Sequence, residues 1–220
     1  DKGLFTAKGA DLSKTYFVIW TTTTWTIPAN TAICLGPDFE YSLDRAGSEY
    51  YVLAMALIEP TMQAAGLSDY EIVASYKGSE LEHMKTAHPF PFLGRTSPII
   101  LGAHVTLESG TGCVHTAPGH GVEDFDVCHN FYPDIPVVVP VDSQGCMTAE
   151  AGEQFAGLTT DKANTAIREY LSEIGALLAV KHITHQYPHC WRCKEPILFR
   201  ATEQWFASID GFRQKALEEI

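Results

Sequence analysis

The sequence is poor in positive charge and in long apolar runs. Its 220 residues hold 15 Lys and Arg against 27 Asp and Glu, for a formal net charge of −12. Because nucleic-acid binding is largely the neutralisation of phosphates by cations, this balance excludes a protein that coats nucleic acid. It leaves room for contact with one nucleic-acid end through a local patch. No apolar run approaches the roughly 20 residues of a membrane span, so we expect no membrane partner.

Several common signatures are also missing. The six cysteines lack the dense spacing of a disulfide scaffold, and no secretory signal precedes them, which favours a reducing cytosol and a cytoplasmic protein. No Gly-x-Ser-x-Gly elbow, phosphate-binding Walker loop or dinucleotide fingerprint occurs. The chain begins Asp1-Lys2-Gly3 without Met, which predicts a fragment of a longer protein. An apolar content of 45% favours a globular fold.

The residue pattern predicts many short strands and a few helices. β-Branched and aromatic runs predict strands, with a hairpin across residues 45–48. These strands cover residues 16–24, 31–35, 39–43, 50–54, 72–76, 97–100, 104–107, 136–141 and 177–185. Helices are predicted before Gly66, over residues 123–130, and over 161–174 with Thr160 as N-cap and Gly175 past the end. We expect an α+β, β-dominated fold with a barrel-like β core and peripheral helices, divided into a domain at 1–185 and a separate segment at 186–220.

A run of four threonines between two tryptophans is the first candidate site. It reads Trp20-Thr-Thr-Thr-Thr-Trp25 and continues to the Pro28-Ala29-Asn30 turn. On a strand, Thr21 and Thr23 would face one way and Thr22 and Thr24 the other. Each hydroxyl both donates and accepts, which suits holding a water and a substrate carbonyl without charge. An exposed β-strand, for which threonine is well suited, is the competing interpretation.

A second candidate site is the loop over residues 110–124, which is dense in Gly, Pro and His. His115 ends a predicted strand, and Asp124 stands near the start of a predicted helix. Asp124 either stabilises that helix N-terminus or binds a substrate ammonium. His115 and His120 are candidate metal ligands, general bases or loop hydrogen-bonding groups, and their spacing matches no zinc signature. Cys113 and Cys128 are candidate nucleophiles, although their apolar surroundings favour buried, inert thiols.

A Cys-x-x-Cys knuckle at Cys190 and Cys193 is the only metal-type motif. A structural zinc ion takes four ligands, so this pair predicts a half-site whose partner pair lies outside the chain. A site completed by nearby histidines and a knuckle without metal are the alternatives. The candidate histidines are His182, His185 and His189.

Three of these motifs, in this order, resemble the inserted editing domain (connective peptide 1) of the isoleucyl-tRNA synthetase family. They are the threonine run at 20–30, the Gly-Thr-Gly…His-Thr-Ala-Pro-Gly-His-Gly…Asp loop at 110–124, and the segment at 185–206 with Tyr-Pro-His-Cys-Trp-Arg and Phe-Arg-Ala-Thr-Glu-Gln-Trp-Phe. The resemblance covers essentially the whole chain. The related valyl and leucyl editing domains usually carry an Arg in the threonine run, so Thr-Ile-Pro-Ala-Asn favours the isoleucyl branch.

The resemblance implies a fold of the valyl, isoleucyl and leucyl editing type and an aminoacyl-ester hydrolase within an isoleucine–tRNA ligase. The substrate would be Val-tRNA(Ile), with valyl-adenylate as a second candidate. The partners would be the misacylated 3′ end of tRNA(Ile) and the rest of the synthetase. Editing would need no cofactor, and a structural zinc at Cys190 and Cys193 would need partner ligands.

The resemblance also implies roles for individual residues. Asp124 would bind the α-amino group, and His115 would line the side-chain pocket and block isoleucine. Thr22 and Thr23 would position the ester and the attacking water. The remaining substrate-binding residues would be Thr21, Trp25, Asn30, Gly119 and His120.

The sequence departs from the family pattern at one site position. Thr24 stands where the family commonly has Pro, which restores a backbone N–H and loosens the chain there. The ATP-site signatures His-Ile-Gly-His and Lys-Met-Ser-Lys-Ser do not occur in these 220 residues, so we expect no ATP binding or tRNA charging. An inert module that docks the tRNA end and a zinc-binding structural domain are the competing functions.

Overall fold

The strands form two mixed four-stranded sheets in a computed structural model that describes residues 2–184 and 186–220. The first sheet has the order β1-β4-β3-β5, and the second has the order β6-β7-β2-β8. The strands are β1 (Thr15–Phe17), β2 (Ala32–Leu35), β3 (Glu40–Ala46), β4 (Glu49–Ala54), β5 (Glu71–Lys77), β6 (Lys85–Ala87), β7 (Thr96–Leu101) and β8 (Cys113–Thr116). The predicted β-dominated α+β fold is confirmed. The pairings among the described residues leave two separate sheets and do not close a barrel.

Five α-helices occur among the described residues: α1 (Ile58–Ala64), α2 (Gly78–Leu81), α3 (Val122–Phe131), α4 (Thr160–Glu173) and α5 (Arg213–Glu218). The two sheets pack face to face through side chains such as Leu43, Val52 and Ile99. Helix α1 covers the outer face of the first sheet through Ile58 and Met62. Helix α3 covers the outer face of the second sheet. Each sheet therefore buries both faces, as a layered domain requires.

Several predicted elements are confirmed. Strands β3 and β4 form the predicted hairpin, in which Ala46 pairs with Glu49 and Gly47 adopts a positive φ of 61° in the two-residue turn. Helix α4 buries Ala163, Ile167 and Leu171 on one face, and Gly175 follows it at φ 71°. Its N-cap is Thr159 and not the predicted Thr160. The predicted β2, β5, β7, α1 and α3 are also present.

Three predicted strands are wrong, and a fourth is correct only at its start. Of residues 16–24, only the start belongs to β1, and a 3-10 helix occupies Thr24–Ala29. Residues 104–107 form an irregular loop. Residues 136–141 form no strand, because Pro136 and Pro140 have no N–H to donate to a neighbouring strand. Val137, within this run, is exposed. Residues 177–184 also form no strand, and Val180 and Ile183 are exposed. His185, the end of that prediction, lies outside the described residues.

The exit segment, residues 186–220, is largely exposed. Its residues 187–197 form a small hairpin-like knuckle, in which the N–H of Cys190 donates to the carbonyl of Glu195 and the N–H of Ile197 donates to that of Pro188. Large apolar side chains on this segment, among them Trp205 and Phe206, face solvent. The domain boundary near residue 186 stays a prediction. No helix among the described residues has the length and apolarity to cross a membrane.

Candidate active site

The threonine run forms a turn instead of a strand. Thr21 Oγ1 accepts a hydrogen bond from the N–H of Thr23 at 3.1 Å, so a side chain takes the place of a ladder partner. Thr24 then begins the 3-10 helix, and its hydroxyl donates to Asn164 on α4. The same Asn164 side chain accepts the N–H of Trp25 at 2.9 Å. Thr22 is exposed on this turn.

A buried hydrogen-bonded network, which we call the His115 cluster, supports this turn from below. It consists of Thr23, Thr26, Asn30, Ser97 and His115. His115 Nδ1 lies 2.7 Å from Asn30 Nδ2, and His115 Nε2 lies 3.0 Å from Thr26 Oγ1. The Thr26 hydroxyl donates to the Thr23 carbonyl at 2.7 Å. Ser97 closes the other end by donating to Asn30 Oδ1.

The hydrogen bonds of the His115 cluster determine which imidazole nitrogen of His115 carries the hydrogen. The Asn30 amide nitrogen can only donate, so His115 Nδ1 must accept and Nε2 carries the hydrogen. The second amide hydrogen of Asn30 reaches the carbonyl of Ala32 at 3.0 Å. Burial, with smaller contributions from His88 and His120, lowers the pKa of His115 to about 3. His115 is therefore a neutral, fully bonded group that orients the threonine turn.

A second histidine braces the same 3-10 helix. His88 Nε2 donates to the carbonyl of Ile27 at 3.0 Å, and its Nδ1 accepts the N–H of Phe90 at 2.9 Å. Burial lowers the pKa of His88 to about 4. The guanidinium of Arg95 donates to the next carbonyl, that of Pro28. The backbone carbonyls of this helix are thus held from outside it.

Asp124 belongs to a different group of side chains, which we call the Asp124 region. It consists of Gly119, His120, Asp124 and His104. Asp124 Oδ2 accepts the N–H of Ala117 at 2.9 Å, and Oδ1 lies 3.9 Å from His104 Nε2. Burial raises the pKa of Asp124, while the Ala117 N–H and His104 oppose that rise. Among the described residues, no hydrogen bond or ion pair joins Asp124 to His115 or to the threonine turn.

The loop that carries Gly119 and His120 is tightly packed. A Cβ on Gly119 would lie 2.3 Å from the carbonyl oxygen of Val138, so no larger residue fits. The ring of His120 meets that of Trp25 edge-on, with centroids 4.8 Å apart. His120 Nδ1 bonds to the carbonyl of Phe199 at 2.9 Å. The contact with Trp25 links the loop to the start of the 3-10 helix, and the contact with Phe199 links it to the exit segment.

The structure brings together part of the predicted set and adds residues that the sequence did not indicate. Thr23, Asn30 and His115 meet in one network, and Trp25 meets His120. The sequence motifs do not single out four further residues of the site: Thr26, Ser97, His88 and His104. Thr26 lies inside the threonine-rich motif and was within reach of sequence reasoning. The other three have no local signal, because they join the site only through tertiary contacts.

The cysteines divide into buried and exposed groups. Burial raises the pKa of Cys113 well above its usual range and that of Cys128 to about 11, so neither is an activated nucleophile. In the knuckle, the N–H groups of Cys193 and Arg192 lower the pKa of Cys190, which suits a thiolate ligand. Among residues 2–184 and 186–220, no group of three or more His, Cys, Asp or Glu is arranged to hold a metal.

Comparison with solved structures identifies the class of domain. The crystal structure of GlLeuRS-CP1 matches with a TM-score of 0.64 and 14% identity, over 81% of this chain and 88% of that one. The editing domain of the P. knowlesi cytosolic leucyl-tRNA synthetase matches with a TM-score of 0.54 and 12% identity, over 73% of this chain and 83% of that one. The chain therefore has the fold of a leucyl-tRNA synthetase editing domain.

Comparison of sequences identifies the family. The isoleucine–tRNA ligase of Caldicellulosiruptor saccharolyticus is 55% identical over 220 residues, and that of Caldanaerobacter subterraneus subsp. tengcongensis is 56% identical. The chain belongs to the isoleucine–tRNA ligase family. All of the chain is covered in both cases, and it spans 23% of the length of each ligase. No protein-family model matches it. The resemblance drawn from the three motifs is confirmed.

Proposed function

We propose that this chain is the proofreading part of an isoleucine–tRNA ligase and hydrolyses the ester of valine misattached to tRNA(Ile). Valyl-adenylate is the second candidate substrate. The observation that carries the proposal is the His115 cluster, which aligns a buried imidazole, an amide and three hydroxyl or carbonyl groups beneath an exposed threonine turn. The editing-domain fold and the family support it.

The need for such an activity follows from binding energies. A site built for isoleucine gains only about 1–3 kcal/mol from the one methylene that valine lacks, so it charges valine too often for accurate protein biosynthesis. A second, smaller site admits valine and excludes isoleucine by size. Hydrolysis of an aminoacyl ester then requires a positioned water and a stabilised oxyanion.

The roles we propose for individual residues are those that the family resemblance implies, and the geometry of each group is compatible with them. One carboxylate oxygen of Asp124 accepts the Ala117 N–H, and the other, 3.9 Å from His104 Nε2, would bind the α-ammonium of the substrate. Thr22 and Thr23 position the ester and the water on the exposed side of the turn. His115 forms the wall that valine meets and isoleucine does not pass. Because His115 is neutral, it places no unpaired charge against the apolar side chain of the substrate.

The partners we propose are the misacylated 3′ end of tRNA(Ile) and the rest of the synthetase, in the cytoplasm. Two alternatives have an observation in their favour. The first is a docking module for the tRNA end that does no chemistry alone. The net charge of −12 favours weak tRNA binding by the isolated chain, which would leave it inert without the rest of the synthetase. The second alternative is a structural zinc site at Cys190 and Cys193, completed by ligands beyond this chain. The lowered pKa of Cys190 favours it. Zinc bound at one ion per isolated chain would contradict the half-site.

The decisive experiment measures deacylation of Val-tRNA(Ile) and Ile-tRNA(Ile) by this chain. We expect selective loss of valine, and a drop of about 100-fold or more in Asp124→Asn because the ammonium anchor is gone. Asp126→Asn is the matched control, since Asp126 is an exposed carboxylate on the same helix. Equal activity in the two variants would remove Asp124 from the site. Failure of the unmodified chain to cleave either ester would favour the docking module.

A further inference from the structure

Residues 199–201 of the exit segment, which we call the exit strap, lie against the loop that carries Gly119 and His120. We call that loop the site loop. Three hydrogen bonds hold the exit strap there. The Phe199 carbonyl bonds to His120 Nδ1 at 2.9 Å, and the Ala201 N–H donates to the Gly119 carbonyl at 2.8 Å. Arg200 Nε donates to the carbonyl of Val141 at 2.8 Å. The exit strap thus bonds to Gly119, His120 and Val141, which lie 59 to 82 positions earlier in the chain. The segment beyond the strap is exposed.

The contact with Phe199 determines which nitrogen of His120 carries the hydrogen. A carbonyl oxygen can only accept, so Nδ1 must be the N–H group. Burial lowers the pKa of His120, with the Phe199 carbonyl opposing, so the ring is neutral near pH 7. Nε2 therefore presents a lone pair.

That lone pair has no partner within the protein. His120 Nε2 is buried and makes no hydrogen bond to any described residue. Leaving a buried acceptor unpaired is costly, so native structures keep few such groups. The exit strap holds the ring in the form that leaves Nε2 unpaired, and Trp25 packs against it at 4.8 Å. A ligand that supplies a donor would recover the cost.

We propose that the exit strap is a positioning part of the editing site, and that it holds His120 so that Nε2 accepts a hydrogen bond from an O–H donor of the bound complex. This inference rests on the proposed function. The donor is either the attacking water or the free hydroxyl of the terminal ribose. The strap also links the site loop to the residues of the exit segment that follow residue 201.

If the donor is the water, the proton balance is simple. The water oxygen bonds to the ester carbonyl carbon while its proton passes to His120 Nε2. The Phe199 carbonyl, bonded to Nδ1–H, stabilises the imidazolium that forms. The proton then moves to the ribose oxygen as the carbon–oxygen ester bond breaks. If the donor is the ribose hydroxyl, His120 orients the terminal nucleotide and gains no proton.

The first test is structural and independent of activity. Long-range proton–nitrogen NMR of the 220-residue chain distinguishes the two neutral histidine tautomers. We expect the Nδ1–H form for His120 and its loss in Ala201→Pro, which removes the donor to Gly119. Glu203→Pro is the control, because Glu203 is exposed and outside the strap. An Nε2–H form in the unmodified chain would overturn the proposal.

The second test measures deacylation of Val-tRNA(Ile). His120→Asn keeps an amide donor for Phe199 but has no acceptor at the Nε2 position, and we expect kcat to fall roughly 100-fold with KM little changed. His120→Gln, which can place an acceptor near Nε2, should recover part of the rate. Ala201→Pro should lower kcat about tenfold, because the strap acts through His120. If His120→Asn and the unmodified chain have equal kcat, the acceptor role is wrong.

Two further arms separate the possible donors and the possible failures. With a substrate whose terminal ribose lacks the free hydroxyl, a persisting effect of His120→Asn assigns the donor as water, and its disappearance assigns the ribose. If the unmodified chain cleaves no ester, the proposed function fails, while the tautomer measurement still tests the strap. If cleavage depends on Asp124 but not on His120, the function holds and this inference fails.

Discussion

The His115 cluster and the Asp124 region differ in how completely their polar atoms are bonded. In the His115 cluster, both imidazole nitrogens and the amide of Asn30 have partners. In the Asp124 region, His104 Nε2 and His120 Nε2 are buried and make no hydrogen bond to any described residue. The first is built as a support, and the second retains groups for which a bound ligand is the natural partner. Stability and activity should therefore respond differently to changes in the two regions.

The largest expected effect is the dependence of stability on pH. Burial lowers the pKa of His115 to about 3 and that of His88 to about 4, so the unfolded chain binds more protons below about pH 6.5. The stabilisation is present above that pH and is lost as pH falls toward the folded pKa values. Together the two histidines should cost about 4 kcal/mol between pH 7 and 5. Asp44, whose pKa burial raises to about 6, opposes part of this.

Urea unfolding of the chain at pH 7 and pH 5 measures the effect. The net loss should be smaller than the histidine contribution alone because of Asp44. A free energy of unfolding that rises on acidification would show that these imidazoles are not buried neutral in the folded state.

The second effect is the loss of the central imidazole. His115→Leu leaves one Asn30 amide hydrogen without an acceptor and removes the N–H that the Thr26 hydroxyl oxygen accepts, and it should lower the free energy of unfolding by about 3 kcal/mol. The control His129→Leu changes an exposed histidine on α3 and should cost less than about 0.5 kcal/mol. Equal midpoints in urea for the two variants would contradict the supporting role of the cluster.

A smaller effect is expected at the family departure, Thr24. Its hydroxyl bonds to Asn164, so Thr24→Val should cost about 1 kcal/mol by removing that contact between the threonine turn and α4, while the Trp25 N–H still bonds to Asn164. Thr165→Val, an exposed threonine on the same helix, is the matched control. Thermal unfolding of both variants tests this contact. A Thr24→Val midpoint no lower than that of the control would mean that the hydroxyl adds nothing.

The smallest effect is expected in the Asp124 region. His104→Leu removes a buried nitrogen that has no hydrogen-bond partner, so stability should change by less than about 0.5 kcal/mol. The contrast with His115→Leu is the direct test of the difference between the two regions. A loss as large as that of His115→Leu would show that the 3.9 Å contact between His104 and Asp124 is a strong ion pair.

Periodicity predicted the elements whose burial follows a regular pattern. Helix α4 and the β3–β4 hairpin could be predicted because their apolar spacing and their glycines are local signals. The threonine run was misread, since threonine favours strands but Thr21 instead bonds to the backbone two residues ahead. The valine run at 137–139 also resembled a buried strand, and the prolines beside it remove the ladder donors.

The family could be identified without coordinates, because the three motifs are ordered strings of residues that can be compared directly between sequences. The sequence also determined which residue types stand in the candidate site. Three contacts became evident only from the folded chain: Ser97 completes the His115 cluster, His104 faces Asp124, and Phe199 orients His120. These partners are 20–79 positions apart in the chain. Local propensity does not encode such distant contacts, which form only when the two sheets and the exit segment pack together.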